Sequence, residues 1–234
     1  MDPDIGEAVV NALGLLEAWL GDFTSRAGDG DRQFPAAFLA RSVACLRGIE
    51  ILRGQRDDLC AVLLRALVES NLFGLYALLG GDEALAKLRG DHRRNVENFI
   101  SRNSTPELLE AVAGWTVDKD QVSVEQVARE LAPLLKAAGE LVADPLGIYD
   151  VIYRSTSTFD AHATGAAVRY MREDNGLLRM VLHPATVGVT PDVCLSIGTL
   201  YTVYFARYIF ERAGFSVARI DELLVSLGEA LGRP

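Results

Sequence analysis

The run DDLCAVLLRALVESNLFGLYALLGG, from Asp57 to Gly81, is apolar nearly all the way round a helix. A helix without a wet face has to be surrounded by other elements, so this stretch predicts the buried centre of an all-α domain. Gly80 and Gly81 suit its C-terminal stop. Its only interior charges, Arg65 and Glu69, stand four residues apart on one face and are expected to pair. A charged pair on such a helix costs several kcal/mol per ion to desolvate, on the order of what good hydrogen bonds return. It therefore marks an internal tie or the wall of a pocket.

The rest of the chain supplies layers for that centre. From Asp4 to Phe23, residues Ile5, Val9, Ala12, Leu13, Leu16 and Leu20 recur at three and four, the spacing of an amphipathic helix. A second helix is expected over Phe34–Leu52, with Phe38, Ala44, Cys45 and Ile49 inward and Arg41, Arg47 and Glu50 outward. A fourth runs from Asp82 to about Ser101, and a short one from Ser104 through Val112. Ser123 with Gln126 resembles a capping box that opens a helix to about Val142, with a kink or break near Ala132 because of Pro133. Leu146 to Met171 reads as one polar helix, Thr190 and Pro191 start another, and Val217–Leu231 closes the series. Between them, the β-branched residues near 177–189 predict a short extended or hairpin segment. The expectation is a single all-α domain over residues 1–234, a bundle of about eight helices, since no repeat or long linker divides it.

A net charge of −9 excludes a broad basic surface for nucleic acid and leaves room only for a local patch. The densest basic run is Arg89, His92, Arg93 and Arg94, whose simplest role is a solvated face. Cys45, Cys60 and Cys194 are too few and too scattered for a disulfide framework or a zinc ribbon. Asp29 and Asp31 alternate as calcium ligands do, but the closing Glu of that loop is missing. No metal and no cofactor is expected. The start of the chain lacks a signal-peptide pattern, which predicts a cytoplasmic protein. Two segments, Leu59–Leu79 and Val193–Phe210, are strongly apolar, yet charges interrupt the first and the second is short, so both are expected as core helices and not as membrane spans.

Chemistry concentrates in LGIYDVIYRSTSTFDAHATGAAVRYM. At about 100° per residue, Ser155, Thr158 and His162 share one face, and Asp150 and Arg154 share another. Histidine moves protons near neutral pH and arginine holds phosphate in paired hydrogen bonds. Arg65, Glu69 and Ser70, then Trp115, then Tyr153, Arg154, Ser157 and His162 together resemble a bacterial all-helical family of unknown function, over roughly Leu59 to Tyr170. Its Arg-to-His element is similar to the HEPN fold, whose active members are metal-independent ribonucleases. Seven residues separate Arg154 from His162 here, with Asp160 among them, a longer spacing than those enzymes carry.

Two functions are expected from different classes. One is a non-catalytic binding or interaction protein, in which Arg65, Glu69, Tyr153 and Asp160 line a small-molecule pocket or a dimer seam. The other is a HEPN-like ribonuclease, with His162 as base, Arg154 stabilising phosphate charge and Ser157 beside them. Tyr201, Tyr204, Phe205, Tyr208 and Phe210 crowd one helix and suggest a homodimer. Economy of buried polar groups further predicts that Arg65 and Glu69 meet the helix carrying Arg154 and His162 in one cluster.

Overall fold

In the computed structural model, described for residues 3–26, 33–103, 106–107, 110, 122–139, 144–154, 171–174, 177–180 and 190–230, the described residues form eight helices, the predicted centre among them. They are α1 (Pro3–Arg26), α2 (Gln33–Leu52), α3 (Asp57–Leu79), α4 (Gly81–Asn103), α5 (Val124–Ala137), α6 (Pro145–Ile148, continued by a π-helical Tyr149–Arg154), α7 (Pro191–Arg212) and α8 (Ala218–Ala230). A hairpin of β1 (Met171–Asp174) and β2 (Leu177–Met180) pairs antiparallel with Met171 opposite Met180. The all-α multi-helix class is thus observed, with this small ribbon added.

α3 sits in the middle because its apolar residues point every way. Cys60, Leu64, Leu67, Val68, Leu72, Leu75 and Tyr76 are all buried, and α2, α4, α5, α7 and the π-helical segment all pack on it. α7 can come close only where side chains vanish. A Cβ on Gly74 would lie 2.0 Å from the Phe205 ring, and one on Gly198 would meet Leu46 and Leu67 at 2.9 and 3.2 Å. Both glycines are therefore contact points between helices and not flexible joints. α1 and α8 close the other side of α7, with Val9, Leu13, Leu16, Ile220, Leu223 and Leu227 inside. One hydrophobic cluster runs through α1–α8.

Local signals set most boundaries. Gly81, at φ +62°, turns the chain from α3 into α4. Thr190 accepts from the Val193 amide at 3.4 Å and Pro191 takes the first helical position of α7. Ser123 accepts from the Gln126 amide at 3.1 Å, but the Gln126 side chain goes forward to Glu130 instead of back, so only half of the capping box forms. Pro133 does not break α5 at Ala132; the residue is exposed, so the bond it removes lies on the wet side, and the helix runs on to Ala137. Gly139, at φ +83°, ends it before the expected Val142.

Other expectations shift as well. The helix starting near Leu146 does not reach Met171, which lies in β1, and the hairpin pairs residues 177–180 with 171–174, upstream of the expected 177–189. Residues 181–189 lie outside the described residues, as do Asp29, Asp31, Trp115 and most of the short helix expected from Ser104. In α2, Ala44 is exposed while Ser42 is fully buried, because the serine hydroxyl has buried acceptors to meet. The three cysteines are free and buried, as their scatter implied. Leu59–Leu79 and Pro191–Arg212 are long and apolar enough to cross a membrane, and each has more than half of its apolar window packed inside the bundle, 56% and 61%.

Candidate functional site

The π-helical turn builds the polar side of the candidate site. Asp144 accepts from the Leu146 amide at 3.1 Å and Pro145 starts the helix, which then widens over Tyr149–Arg154. π-Helical turns are rare and concentrate at functional sites. Here the widening leaves Tyr149 and Tyr153 stacked, with ring centroids 5.5 Å apart and planes 21° from parallel. Ile152 points into the core, while Tyr153 meets α3.

Arg65 of α3 closes that contact. Its Nη2 donates to the Tyr153 hydroxyl at 2.6 Å, and its guanidinium carbon lies 4.6 Å from the ring centre. The arginine thus uses both the hydroxyl and the π face. Burial pushes the Tyr153 phenol above its ordinary value, and the nearby Glu69 charge adds to this, while Arg65 opposes it. The phenol stays protonated at neutral pH. Arg65 Nε is buried with no hydrogen-bond partner. Among the described residues no ion pair joins Arg65 to Glu69; sharing a helix face did not make them partners, because Tyr153 occupies the position in front of the guanidinium.

Arg154 is not part of this cluster. It points to solvent, 64% exposed, and donates to Asp150 one turn back at 3.1 Å. Ser157, Asp160 and His162 lie outside the described residues. Of the seven residues expected to carry function, the structure therefore brings together Arg65 and Tyr153, with Glu69 close enough to act on the phenol by its charge, and leaves Arg154 on the surface.

Sequence reading missed the wall of the site. Further along α3, that helix with α5, α6 and α7 leaves a cavity of ≈ 20 Å³ between Val68, Leu72, Leu131, Leu135, Ile148 and Tyr204, room for about one water. Asn71 also borders it, is only 5% exposed, and its Nδ2 has no partner. Its Oδ1 accepts from Ser42 at 2.6 Å, and the same hydroxyl lies 3.0 Å from the Phe38 carbonyl. One serine proton cannot serve both acceptors fully. The signal available in the sequence was an amide inside an otherwise apolar helix.

A second polar cluster lies further along α3. The buried Tyr76 hydroxyl donates to Glu130, which also accepts from Lys87 at 3.2 Å and Gln126 at 2.9 Å. These donors hold the Glu130 carboxyl below its ordinary value, Tyr76 first, then Gln126. The carboxylate in turn raises Lys87, and Tyr76 is raised first by burial. Every charge there is matched, so the cluster ties α3, α4 and α5 together.

The basic run of α4 does not assemble a phosphate site. Arg94 pairs with Asp91, which also accepts from the Val122 amide at 3.2 Å, and Arg89 lies 5.8 Å from the Phe34 ring centre. His92 and Arg93 are exposed. Of the aromatic residues of α7, Phe205, Tyr208 and Phe210 are buried within this chain, so they do not form an exposed seam. Among the described residues no cluster of His, Cys, Asp and Glu could hold a metal. No family model, characterised protein or solved structure matches the chain.

Proposed function

We propose that this is a non-catalytic helical binding protein of the cytoplasm, with its ligand site at the junction of α3, α5, α6 and α7. One observation carries the reading: Asn71 Nδ2 of α3 is buried without a partner at the edge of an otherwise apolar cavity, and Arg65 Nε, further back on the same helix, is buried without one as well. Leaving such a group unsatisfied costs about 1–3 kcal/mol, more when it is charged. Native proteins keep few of them, and a ligand that brings an acceptor offsets the cost. Because the cavity has room for about one water, a ligand enters only if its wall gives way, and the short α-helical turn Pro145–Ile148, which borders it through Pro145 and Ile148, is the wall expected to move.

A thermal-shift screen of small molecules against the wild type, Arg65→Met and Asn71→Leu tests this. The expected result is a ligand class that raises the melting temperature of the wild type and shifts one or both variants less. A screen in which every ligand that shifts the wild type shifts both variants equally overturns it. The ribonuclease alternative is tested beside it with total RNA: cleavage by the wild type that disappears in His162→Ala would replace the binding reading. Native mass spectrometry of the same samples reads the expected homodimer, which must use surfaces other than the buried rings of α7.

A further inference from the structure

A larger open space lies elsewhere, where α1, α7 and α8 meet. It is a cleft of ≈ 360 Å³, within the size range of pockets that take drug-sized ligands. Its walls are aromatic. Trp19 from α1 and Phe210 from α7 meet edge to face, 6.1 Å apart at 63°, and Phe215, just after α7, meets Phe210 at 5.6 Å and 67°. Rings set at these angles form a corner in which a flat ligand can lie on one face and meet the edge of the next. Asp22, Ser216 and Arg219 stand at the rim.

The charges at the rim are uneven. Asp22 already has an interaction partner. Asp221, two positions beyond Arg219, is taken by Arg207, whose Nε donates to it at 2.7 Å. Arg219 is exposed and has no hydrogen-bond or ion-pair partner among the described residues. Arg219 thus stands at the rim of the cleft with its guanidinium unengaged among the described residues. A guanidinium binds a carboxylate through two parallel hydrogen bonds, and the exposed Ser216 hydroxyl stands beside it as a further donor.

We infer that this cleft is a second binding site, distinct from the α3 junction, for a planar bicyclic aromatic carboxylate. Its rings lie against Trp19, Phe210 and Phe215, and its carboxylate engages Arg219. Two fused rings fit within the volume of the cleft, and a single negative charge matches Arg219, which has no hydrogen-bond or ion-pair partner among the described residues.

Calorimetric titration of the full chain with naphthoate and with its neutral counterpart naphthylmethanol separates the two parts of the claim. Naphthoate is expected to bind more tightly than the alcohol and to lose about tenfold or more in affinity in Arg219→Gln, the loss that follows from removing one charge-assisted interaction. The alcohol should bind the wild type and Arg219→Gln alike. The indole N–H resonance of Trp19, one of two tryptophans in the chain, should move with naphthoate. Arg65→Met should leave naphthoate binding unchanged, because that residue belongs to the other site. Arg219 is a surface residue, so its replacement is not expected to disturb folding. Absence of naphthoate binding at millimolar concentration, equal affinity in Arg219→Gln, or a loss caused instead by Arg65→Met overturns the inference.

Discussion

Two polar clusters touch α3 about 16 Å apart along its axis, eleven residues at the helical rise, and they treat their hydrogen-bonding groups in opposite ways. At Tyr76 the buried hydroxyl, the Glu130 carboxylate, Lys87 and Gln126 are all engaged with one another. At Arg65 the guanidinium has the Tyr153 hydroxyl and ring, yet Nε is left over, and Asn71 Nδ2, between the two clusters along α3, is left over too. A satisfied network contributes rigidity and stability, while an unsatisfied one is a standing cost that folding elsewhere has to offset. The contrast teaches which polar groups of α3 the fold satisfies by itself and which it leaves with unpaired donors.

The sharpest break of this contrast is Glu130→Ala. It leaves the Tyr76 hydroxyl buried without an acceptor and frees Lys87 and Gln126 at once. Glu130 is 34% exposed, so its ion pair with Lys87 adds little and the orphaned phenol dominates. A loss of about 2 kcal/mol is expected, seen as a fall of roughly 4–8 °C in melting temperature for a chain of this size. Tyr76→Phe should cost less, and the double variant should cost no more than Glu130→Ala alone, since the phenol and the carboxylate are one interaction. Strict additivity would mean the network is not the tie it looks like.

At the other cluster, Tyr153→Phe keeps the ring under Arg65 but removes the acceptor of Nη2. Hydrogen bonds to charged groups are worth about 1.5–3 kcal/mol, and the half-buried site puts the loss near the lower end. Adding Arg65→Met to Tyr153→Phe should recover most of it, because the charge that lost its partner is gone. Denaturant midpoints of the three variants check this. If Arg65→Met is itself as damaging as Glu130→Ala, the guanidinium is a satisfied structural group and the contrast fails.

How far the sequence carried this reading depends on what each signal needed. The centrality of α3 was legible because an apolar surround can only be met by other elements, and the caps at Ser123, Thr190 and Pro191 were legible because capping is local. Partner choice was not. Arg65 and Glu69 sit one turn apart, but Arg65 bonds to a residue 88 positions away, which only the packing of α6 on α3 decides. In α2 the expected inward residues Phe38, Cys45 and Ile49 do face the core, and only Ala44 departs, while Ser42, which the apolar pattern passes over, is buried against its acceptors. Asn175 and Gly176, the residues between β1 and β2, form the dipeptide that favours two-residue hairpins, and weighing it more heavily would have placed the ribbon at 171–180. The aromatic cleft was invisible because Trp19 and Phe210 are separated by most of the chain.

Acid should weaken the satisfied cluster selectively. The folded Glu130 carboxyl is held below its ordinary value of 4.5, first by Tyr76 and then by Gln126. A lowered folded value means the unfolded chain takes up the proton first, so this contribution to stability is complete above about 4.5 and is lost as pH falls through the folded value. Denaturation midpoints measured from about pH 6 down to about pH 3 should fall less steeply in Tyr76→Phe than in the wild type. Identical slopes would show that the phenol does not hold the carboxylate.

The smallest effect is expected one residue along from Tyr153. Arg154 faces water and among the described residues pairs with Asp150, both more than half exposed. The pair raises the Arg154 side chain through its hydrogen bond to Asp150, but a contact that both partners make in solvent is screened and adds nothing measurable to folding. Arg154→Ala should therefore leave the denaturation midpoint where it was, while Tyr153→Phe next to it lowers it. The two positions differ only in which side of the π-helical turn they occupy. A midpoint that drops in Arg154→Ala as far as in Tyr153→Phe would place Arg154 inside a cluster after all, and would return it to the role of phosphate ligand that the sequence pattern suggested.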